Sequence, residues 1–269
     1  MSRSPRAIAI VPARLASTRL PRKLLLRTTG RYLFEHTVRN AERSGRLERV
    51  LLAVDDPALA SAAAEVGVDA VMTSVEHQSG TDRVLEALDR SLEAGAEAPD
   101  VVVNVQGDEP DVEPEDLDRL VDLFDDPAVR FATLWVPLEL PAQAERPEIV
   151  KLVTDAAGRA LYFSRAPIPA RGHGGGLPDH KRHLGVYAYR PDALREFCAA
   201  PVSSLERTER LEQLRWLELG GAIHTLRATR APRGIDTDAD YQAFVDRHAA
   251  QVDAQGRPHP AAPPTERPA

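Results

Sequence analysis

Apolar and polar positions alternate in blocks along this chain, and the blocks come in two lengths. Short aliphatic runs at residues 7–11, 49–54, 68–73 and 100–106 read as buried strands. Longer stretches between and after them, at 32–44, 58–66, 81–93 and 113–124, carry helical spacing. Pro57 stands where a first helical turn tolerates it, and Gly45 and Gly67 stand where helices end. This β-α-β-α rhythm predicts a mostly parallel sheet with helices on both faces.

The rhythm changes after residue 130. Runs at 131–137, 149–154, 159–164 and 183–189 read as strands, with Ala156-Ala157-Gly158 as a hairpin turn between the second and third. They predict an antiparallel arm, roughly 131–190, added to the parallel sheet. Within it, 170–181 holds Gly172, Gly174, Gly175, Gly176 and Pro178, a composition that fits a mobile loop and a candidate lid. Residues 191–197 are helix-like. Ser203-Ser204-Leu205-Glu206 is a capping-box pattern opening a helix to residue 219, with Gly220-Gly221 after it. A last strand is expected at 222–229 and a last helix at 238–249. The Pro- and Ala-rich stretch 251–269 has no periodicity and is expected to be a disordered tail. The expectation is an α/β domain over 1–250.

Composition narrows the function classes. With 43% hydrophobic and 28% charged residues, the chain is an ordinary soluble globular protein. A net charge of -7 argues against a general nucleic-acid binder, so any basic site must be local. No apolar run reaches membrane-spanning length, and the 7–11 run meets Pro12 at once, unlike a signal segment. A cytoplasmic location is expected, without membrane or nucleic-acid partners. Cys198 is the one cysteine, which leaves no intramolecular disulfide and no Cys-based metal cluster.

Four segments could carry chemistry. Asn104-Val105-Gln106-Gly107-Asp108-Glu109-Pro110 follows a buried apolar run, placing Asp108 just past a strand's carboxyl end. Ligands bind there in open α/β sheets, and a carboxylate there can hold a divalent cation against a phosphate. A turn acid capping the next helix is the competing reading. The loop after the first strand supplies Arg14, Arg19, Arg22 and Lys23 with the hydroxyls of Ser17 and Thr18, a donor set suited to a triphosphate. It can also be read as a solvated basic loop. It is not a P-loop, and GxGxxG is absent as well.

His77-Gln78-Ser79-Gly80-Thr81-Asp82-Arg83 follows the third strand. Gly80 permits close backbone approach and Ser79 or Thr81 can offer donors at a helix start, so the loop can read a base edge; simple helix capping by Ser79 is the competing reading. Asp236, between the last strand and last helix, is a second strand-end carboxylate or a cap. Two carboxylates plus phosphate oxygens suit Mg²⁺. Glu209, Glu212, Gln213 and Trp216 share one face of the expected 203–219 helix and could meet sugar hydroxyls or serve as boundary residues. Arg165, Arg182 and His183 flank the Gly-rich loop and suit an anionic acceptor or surface ion pairs.

Taken in order, PARLASTRLP (12–21), HQSGTDR (77–83), VNVQGDEP (103–110), ALYFSRAPIP (160–169), RHLGVYAYR (182–190), LEQLR (211–215) and GIDT (234–237) resemble CMP-KDO synthetase, the 3-deoxy-manno-octulosonate (KDO) cytidylyltransferase family. The resemblance spans nearly the whole chain except the tail. It implies a Rossmann-like nucleotidyltransferase fold with a smaller β-rich dimerisation arm, and a homodimer. It implies Mg²⁺-dependent transfer of CMP from CTP to an acidic sugar, with release of pyrophosphate. By the same resemblance Arg14, Ser17, Arg19 and Lys23 hold the triphosphate, Gln78, Ser79 and Gly80 read cytosine, and Asp108 and Asp236 bind the metal. Gln106, Pro137, Arg165, His183, Tyr187, Glu212 and Gln213 surround the sugar.

One departure stands out: the family usually reads LPGKPL where this chain has Leu20-Pro21-Arg22-Lys23-Leu24-Leu25. An arginine at a left-handed position would be strained, or it would add a phosphate contact. The rival readings are a cytidylyltransferase for another acidic acceptor and a nucleotide-binding protein without catalysis.

Overall fold

In the computed structural model, which describes residues 4–173 and 179–254, the apolar runs of the first half become four parallel strands. These are β1 (Ala7–Ala13), β2 (Leu47–Val54), β3 (Ala70–Met72) and β4 (Val101–Asn104). Helices α1 (Leu33–Ala41), α2 (Pro57–Glu65), α3 (Gly80–Glu93) and α4 (Pro114–Asp122) lie between and after them. Pro57 opens α2 behind an Asp56 cap, and Gly67 follows its end with φ 63°.

The second half adds β5 (Phe131–Pro137), β6 (Lys151–Thr154), β7 (Ala160–Ser164), β8 (Lys181–Tyr189) and β9 (His224–Arg227). Its helices are α5 (Pro191–Ala199), α6 (Ser204–Glu209), α7 (Gln213–Glu218) and α8 (Asp238–Ala254). All nine strands belong to one sheet, with a main path β3-β2-β1-β4-β8-β5-β9. Strand β8 alone runs against its neighbours on that path, β4 and β5, while β9 lies parallel to β5.

Both sheet faces are covered. On β1, Ala9 and Val11 enter one core with Phe34, Leu52 and Leu117, while Ile10 enters the other with Leu51, Leu88 and Val102. Burial on both sides explains why β1, β4 and the second half of β2 read as unbroken apolar runs, while β3 at the sheet edge stays largely exposed. Each fully buried side chain of this size stabilises the fold by roughly 1.5–3 kcal/mol before entropy is counted.

The mixed α/β class with a mostly parallel sheet agrees with the expectation, but three boundaries differ. The antiparallel arm is not separate: β5 and β8 sit inside the main sheet, and only the β6–β7 hairpin hangs off the start of β8. The expected 203–219 helix breaks at Arg210, which adopts a left-handed φ of 53°. Capping signals mark a helix start but cannot reveal a tertiary break. Here Arg165 takes the carbonyls of Glu209 and Arg210 as hydrogen-bond acceptors. Glu209 therefore leaves the face it was expected to share with Glu212 and Gln213, and instead accepts from Ser164 Oγ and the Arg165 N–H. Finally, α8 continues through Ala254, because no Pro or Gly interrupts it before Gly256. Residues 255–269 of the expected tail, and 174–178 of the expected lid, lie outside the described residues; Lys181 already belongs to β8.

Candidate active site

The strand order reverses between β1 and β4, and the loops at the carboxyl ends of these two strands part there. A crevice at such a switch point is where α/β sheets bind ligands. The cleft has a volume of about 310 Å³. Its walls come from the basic loop (Arg14, Ser17, Arg19, Lys23), the start of α3 (Gln78, Ser79, Gly80) and the β4 loop (Gln106, Asp108). Asp236 closes it from the far end of the chain.

Lys23 organises the acidic end. Its Nζ donates to Asp108 Oδ2 at 2.5 Å, to Asp236 Oδ1 at 3.1 Å and to the Ile235 carbonyl at 2.8 Å. Arg19 Nη2 lies 2.8 Å from the same Asp236 oxygen. Backbone contacts fix this meeting: the Ile235 N–H donates to the Asp108 carbonyl at 3.0 Å, and Thr37 Oγ1 donates to the Gly107 carbonyl at 2.9 Å. A Cβ on Gly107 would come within 3.1 Å of the Pro12 carbonyl, so any other residue would have to push the loop and β1 apart by a few tenths of an ångström. Asp240, accepting from the Thr237 N–H and hydroxyl, anchors the segment just after Asp236. Its carboxyl lies below the usual range, chiefly because of the Thr237 hydroxyl.

Lys23 sits in a short 3₁₀ turn that starts from Arg22, whose φ of 54° and ψ of 29° are left-handed. Arg22 is exposed and does not line the cleft. The added-phosphate-contact reading therefore has no support here, and the strain reading holds.

A buried ion pair ties the basic loop to the α3 loop. Asp55, at the carboxyl end of β2, accepts from the Leu15 N–H at 2.9 Å and lies 3.1 Å from Arg83 Nη2. Arg83 also donates to Thr73 Oγ1 and the Ser74 carbonyl. Burial lowers the Arg83 pKa, with Asp55 and Glu86 opposing the shift. Nearby, Glu86 pairs with His77 and accepts from the Ser74 N–H. Burial disfavours its charge, but the donors of Ser74, His77 and Arg90 outweigh that and hold its pKa below the ordinary value. Ser79 caps α3, accepting from the Asp82 N–H, so its hydroxyl performs the structural role that the sequence allowed for it.

The residues expected around the sugar separate into three places. Gln106 Nε2 donates to Asn104 Oδ1, and Asn104 lies opposite Tyr187 in the β4–β8 ladder. His183 packs edge-on against Phe163 and contacts Thr133 Oγ1 at 3.0 Å. Desolvation, with Arg182 adding, pushes the His183 pKa down to about 3, so the imidazole is neutral. Glu212 accepts from Thr81 Oγ1 at 2.5 Å, and burial raises its pKa. Gln213 Nε2 and Asn104 Nδ2 are buried without partners among the described residues. Such atoms cost about 1–3 kcal/mol each when unpaired, which suits a ligand rich in hydroxyls.

Pro137 instead borders a separate cavity at the end of β5. The guanidinium of Arg165 is taken up by the carbonyls of Pro147, Glu209 and Arg210, bracing the turn after α6.

Asp55, Arg83 and Glu109 were assigned no role from the sequence. Asp55 carries the same signal as Asp108, an acid just past a buried strand. Pro57, two residues on, makes the same segment read equally well as a helix start. Glu109 is harder to find. Burial, then Asp108, pushes its carboxyl up to about 8, a consequence of packing against Gly234 that no motif reveals.

The chain matches the cytidylyltransferase family profile over residues 8–223. It is 44% identical over 249 residues to a protein of Nitratidesulfovibrio vulgaris named 3-deoxy-manno-octulosonate cytidylyltransferase, covering 91% of this chain and 97% of the relative. A protein of the same name from Koribacter versatilis is 45% identical over 235 residues, 87% of each chain. Among solved structures, the CTP complex of CMP:2-keto-3-deoxy-manno-octonic acid synthetase superposes with a TM-score of 0.85 at 36% identity, covering 91% of this chain and 99% of that one. At 14% identity, 4-diphosphocytidyl-2C-methyl-D-erythritol synthase shares the fold, with a TM-score of 0.61.

Proposed function

The chain belongs to the cytidylyltransferase family, and from that premise we propose that it transfers CMP from CTP to the anomeric hydroxyl of 3-deoxy-manno-octulosonate, releasing pyrophosphate. One observation carries the reading: Lys23 meets both Asp108 and Asp236 at the end of a loop bearing Arg14 and Arg19. Cations face the leaving group there, and two acids face the reacting phosphorus.

In the step itself the sugar hydroxyl oxygen attacks the α-phosphorus in line. A new C–O–P linkage forms, the bond to the β-phosphate bridging oxygen breaks, and the hydroxyl proton leaves to solvent. Positioning and charge neutralisation dominate such chemistry. Arg14, Arg19 and Lys23 neutralise the pyrophosphate as it departs. The neutral His183 and the buried Gln213 and Glu212 orient the acceptor.

The donor set fits Mg²⁺. Asp108 and Asp236 already hold one cationic group between them, and no third His, Cys, Asp or Glu joins them in a metal-binding group among the described residues. A two-carboxylate site suits an ion that keeps waters and substrate phosphates as its other ligands. Bound there, Mg²⁺ would supply charge neutralisation at the α-phosphate and lower the pKa of the attacking hydroxyl. The reading extends to a homodimer, for which Leu161, 60% exposed on β7, is a candidate contact; among the described residues β7 pairs with β6 and no other strand. It also extends to a cytoplasmic role in supplying activated sugar for lipopolysaccharide; no helix among the described residues is long and apolar enough to cross a membrane.

Pyrophosphate release from CTP, assayed with KDO and with a panel of other acidic sugars and phosphonates, tests the reading. KDO-dependent release supports it. Preference for another acid replaces the acceptor, and CTP binding without release from any acceptor removes catalysis altogether.

A further inference from the structure

The cavity beside Pro137 has a volume of about 530 Å³ and lies where β5 and β9 end and β8 begins, near α8. Five arginines line it: Arg182, Arg227, Arg230, Arg233 and Arg247. Two have partners, Arg247 with Asp111 at 3.0 Å and Arg230 with Glu113. Arg182, Arg227 and Arg233 make no side-chain hydrogen bond or ion pair among the described residues. Of the two carboxylates on the lining, Asp111 is taken by Arg247, which leaves Glu139, exposed, against Arg182, Arg227 and Arg233; of these, Arg182 also interacts electrostatically with Glu109 off the lining.

This cavity is distinct from the sugar region. Successive strand residues face opposite sides, so Arg182 reaches this cavity while His183 packs against Phe163 in the other core. The excess is local, because the whole chain carries -7. Unneutralised cations around one concavity repel one another, and an oxyanion relieves that repulsion while accepting from several guanidinium forks at once. The cavity is also much larger than a single bound water requires.

We propose that this cavity is an anion site for an oxyanion of the phosphate class carrying at least two negative charges, separate from the cleft assigned to CTP. Arg182, Arg227 and Arg233 are its ligands. Arg233 lies three residues before Asp236, so an occupant would also brace the segment that presents that carboxylate and the Ile235 carbonyl to Lys23.

Isothermal titration of inorganic pyrophosphate into the full chain tests this. Saturating CTP fills the main cleft and EDTA prevents turnover. One further pyrophosphate per chain is expected, bound more weakly as salt rises. The double variant R227S/R233S should weaken it by at least about tenfold per arginine while leaving CTP affinity unchanged. Glu139→Gln, which removes the unpaired carboxylate, should strengthen it. Inorganic phosphate in place of pyrophosphate identifies the source: equal binding assigns the site to a single phosphate group, and weaker binding to a diphosphate. No pyrophosphate binding with CTP present, unchanged binding in R227S/R233S, or no gain in Glu139→Gln overturns the proposal. Failure of CTP itself to bind would count against the function proposed above, and the two results are read separately.

Discussion

Lys23 Nζ stands 2.5 Å from Asp108 Oδ2, and the same ammonium reaches Asp236 Oδ1 at 3.1 Å. One cation thus spans two acids that are distant in sequence but whose segments touch, the Ile235 N–H donating to the Asp108 carbonyl. Replacing Asp108 by Asn should cut turnover by at least ~10²-fold, comparable to losing one electrostatic stabiliser. The measurement is pyrophosphate release by the purified variant under saturating CTP. Near-normal release would remove Asp108 from the reaction.

Asp236 is 45% exposed at its side chain and shares its oxygen with Arg19 as well as Lys23. Chelation of divalent cations should abolish activity, and added Mg²⁺ should restore it. Asp236→Asn should raise the Mg²⁺ concentration needed for half-maximal activity by about tenfold, the cost of one carboxylate on a site with few protein ligands. An unchanged Mg²⁺ titration curve would place the ion elsewhere.

Arg22 occupies a left-handed backbone position in an exposed turn and takes no part in the cleft. Arg22→Gly should relieve about 1 kcal/mol of strain, less the entropy glycine adds to the unfolded chain. Thermal unfolding should then shift upward by at most about 2–4 °C. A downward shift would mean that the arginine makes a favourable contact in solution.

Asp55 and Arg83 form a buried pair connecting the basic loop to the α3 loop. Asp55→Asn leaves the guanidinium without its counter-charge, costing about 3 kcal/mol of stability. With the two loops uncoupled, KM for CTP should rise by about tenfold or more while kcat changes less. Equal losses in kcat and kcat/KM, with KM unmoved, would contradict a positioning role.

His183, depressed to about 3 by burial, should show no imidazole titration between pH 5 and 8 by NMR. As pH falls from about 6.5 toward 3, the unfolded chain takes up a proton there that the folded chain refuses. Stability is therefore present above about pH 6.5 and declines on acidification. His183→Phe should flatten that acid limb, and an unchanged limb would assign it to other groups.

Much of this site was legible because strand ends advertise themselves. Val101-Val102-Val103 could only be buried, so the acid that follows had to sit at a sheet edge. The basic loop and the α3 start were found the same way. What stayed hidden depends on contacts between distant segments. Arg210's left-handed turn follows from Arg165 seizing two carbonyls, and the raised Glu109 carboxyl from burial beside Gly234. Periodicity placed β5 and β8 among antiparallel strands but could not tell that they insert into the main sheet. Pairing partners are a property of the whole topology, not of either segment.

Strand β8 is hydrogen-bonded to β4, with Tyr187 opposite Asn104, four residues before Asp108. The acceptor-side Tyr187 is thus bonded to the strand that leads directly into the turn bearing the phosphate-side acid. A slip of one position would turn Tyr187 and His183 out of their aromatic cluster, so the same backbone bonds that hold the sheet also set the spacing between the reactants. Adjustment to bound substrates is therefore expected in the loops around the cleft, while the β4–β8 pairing keeps its register.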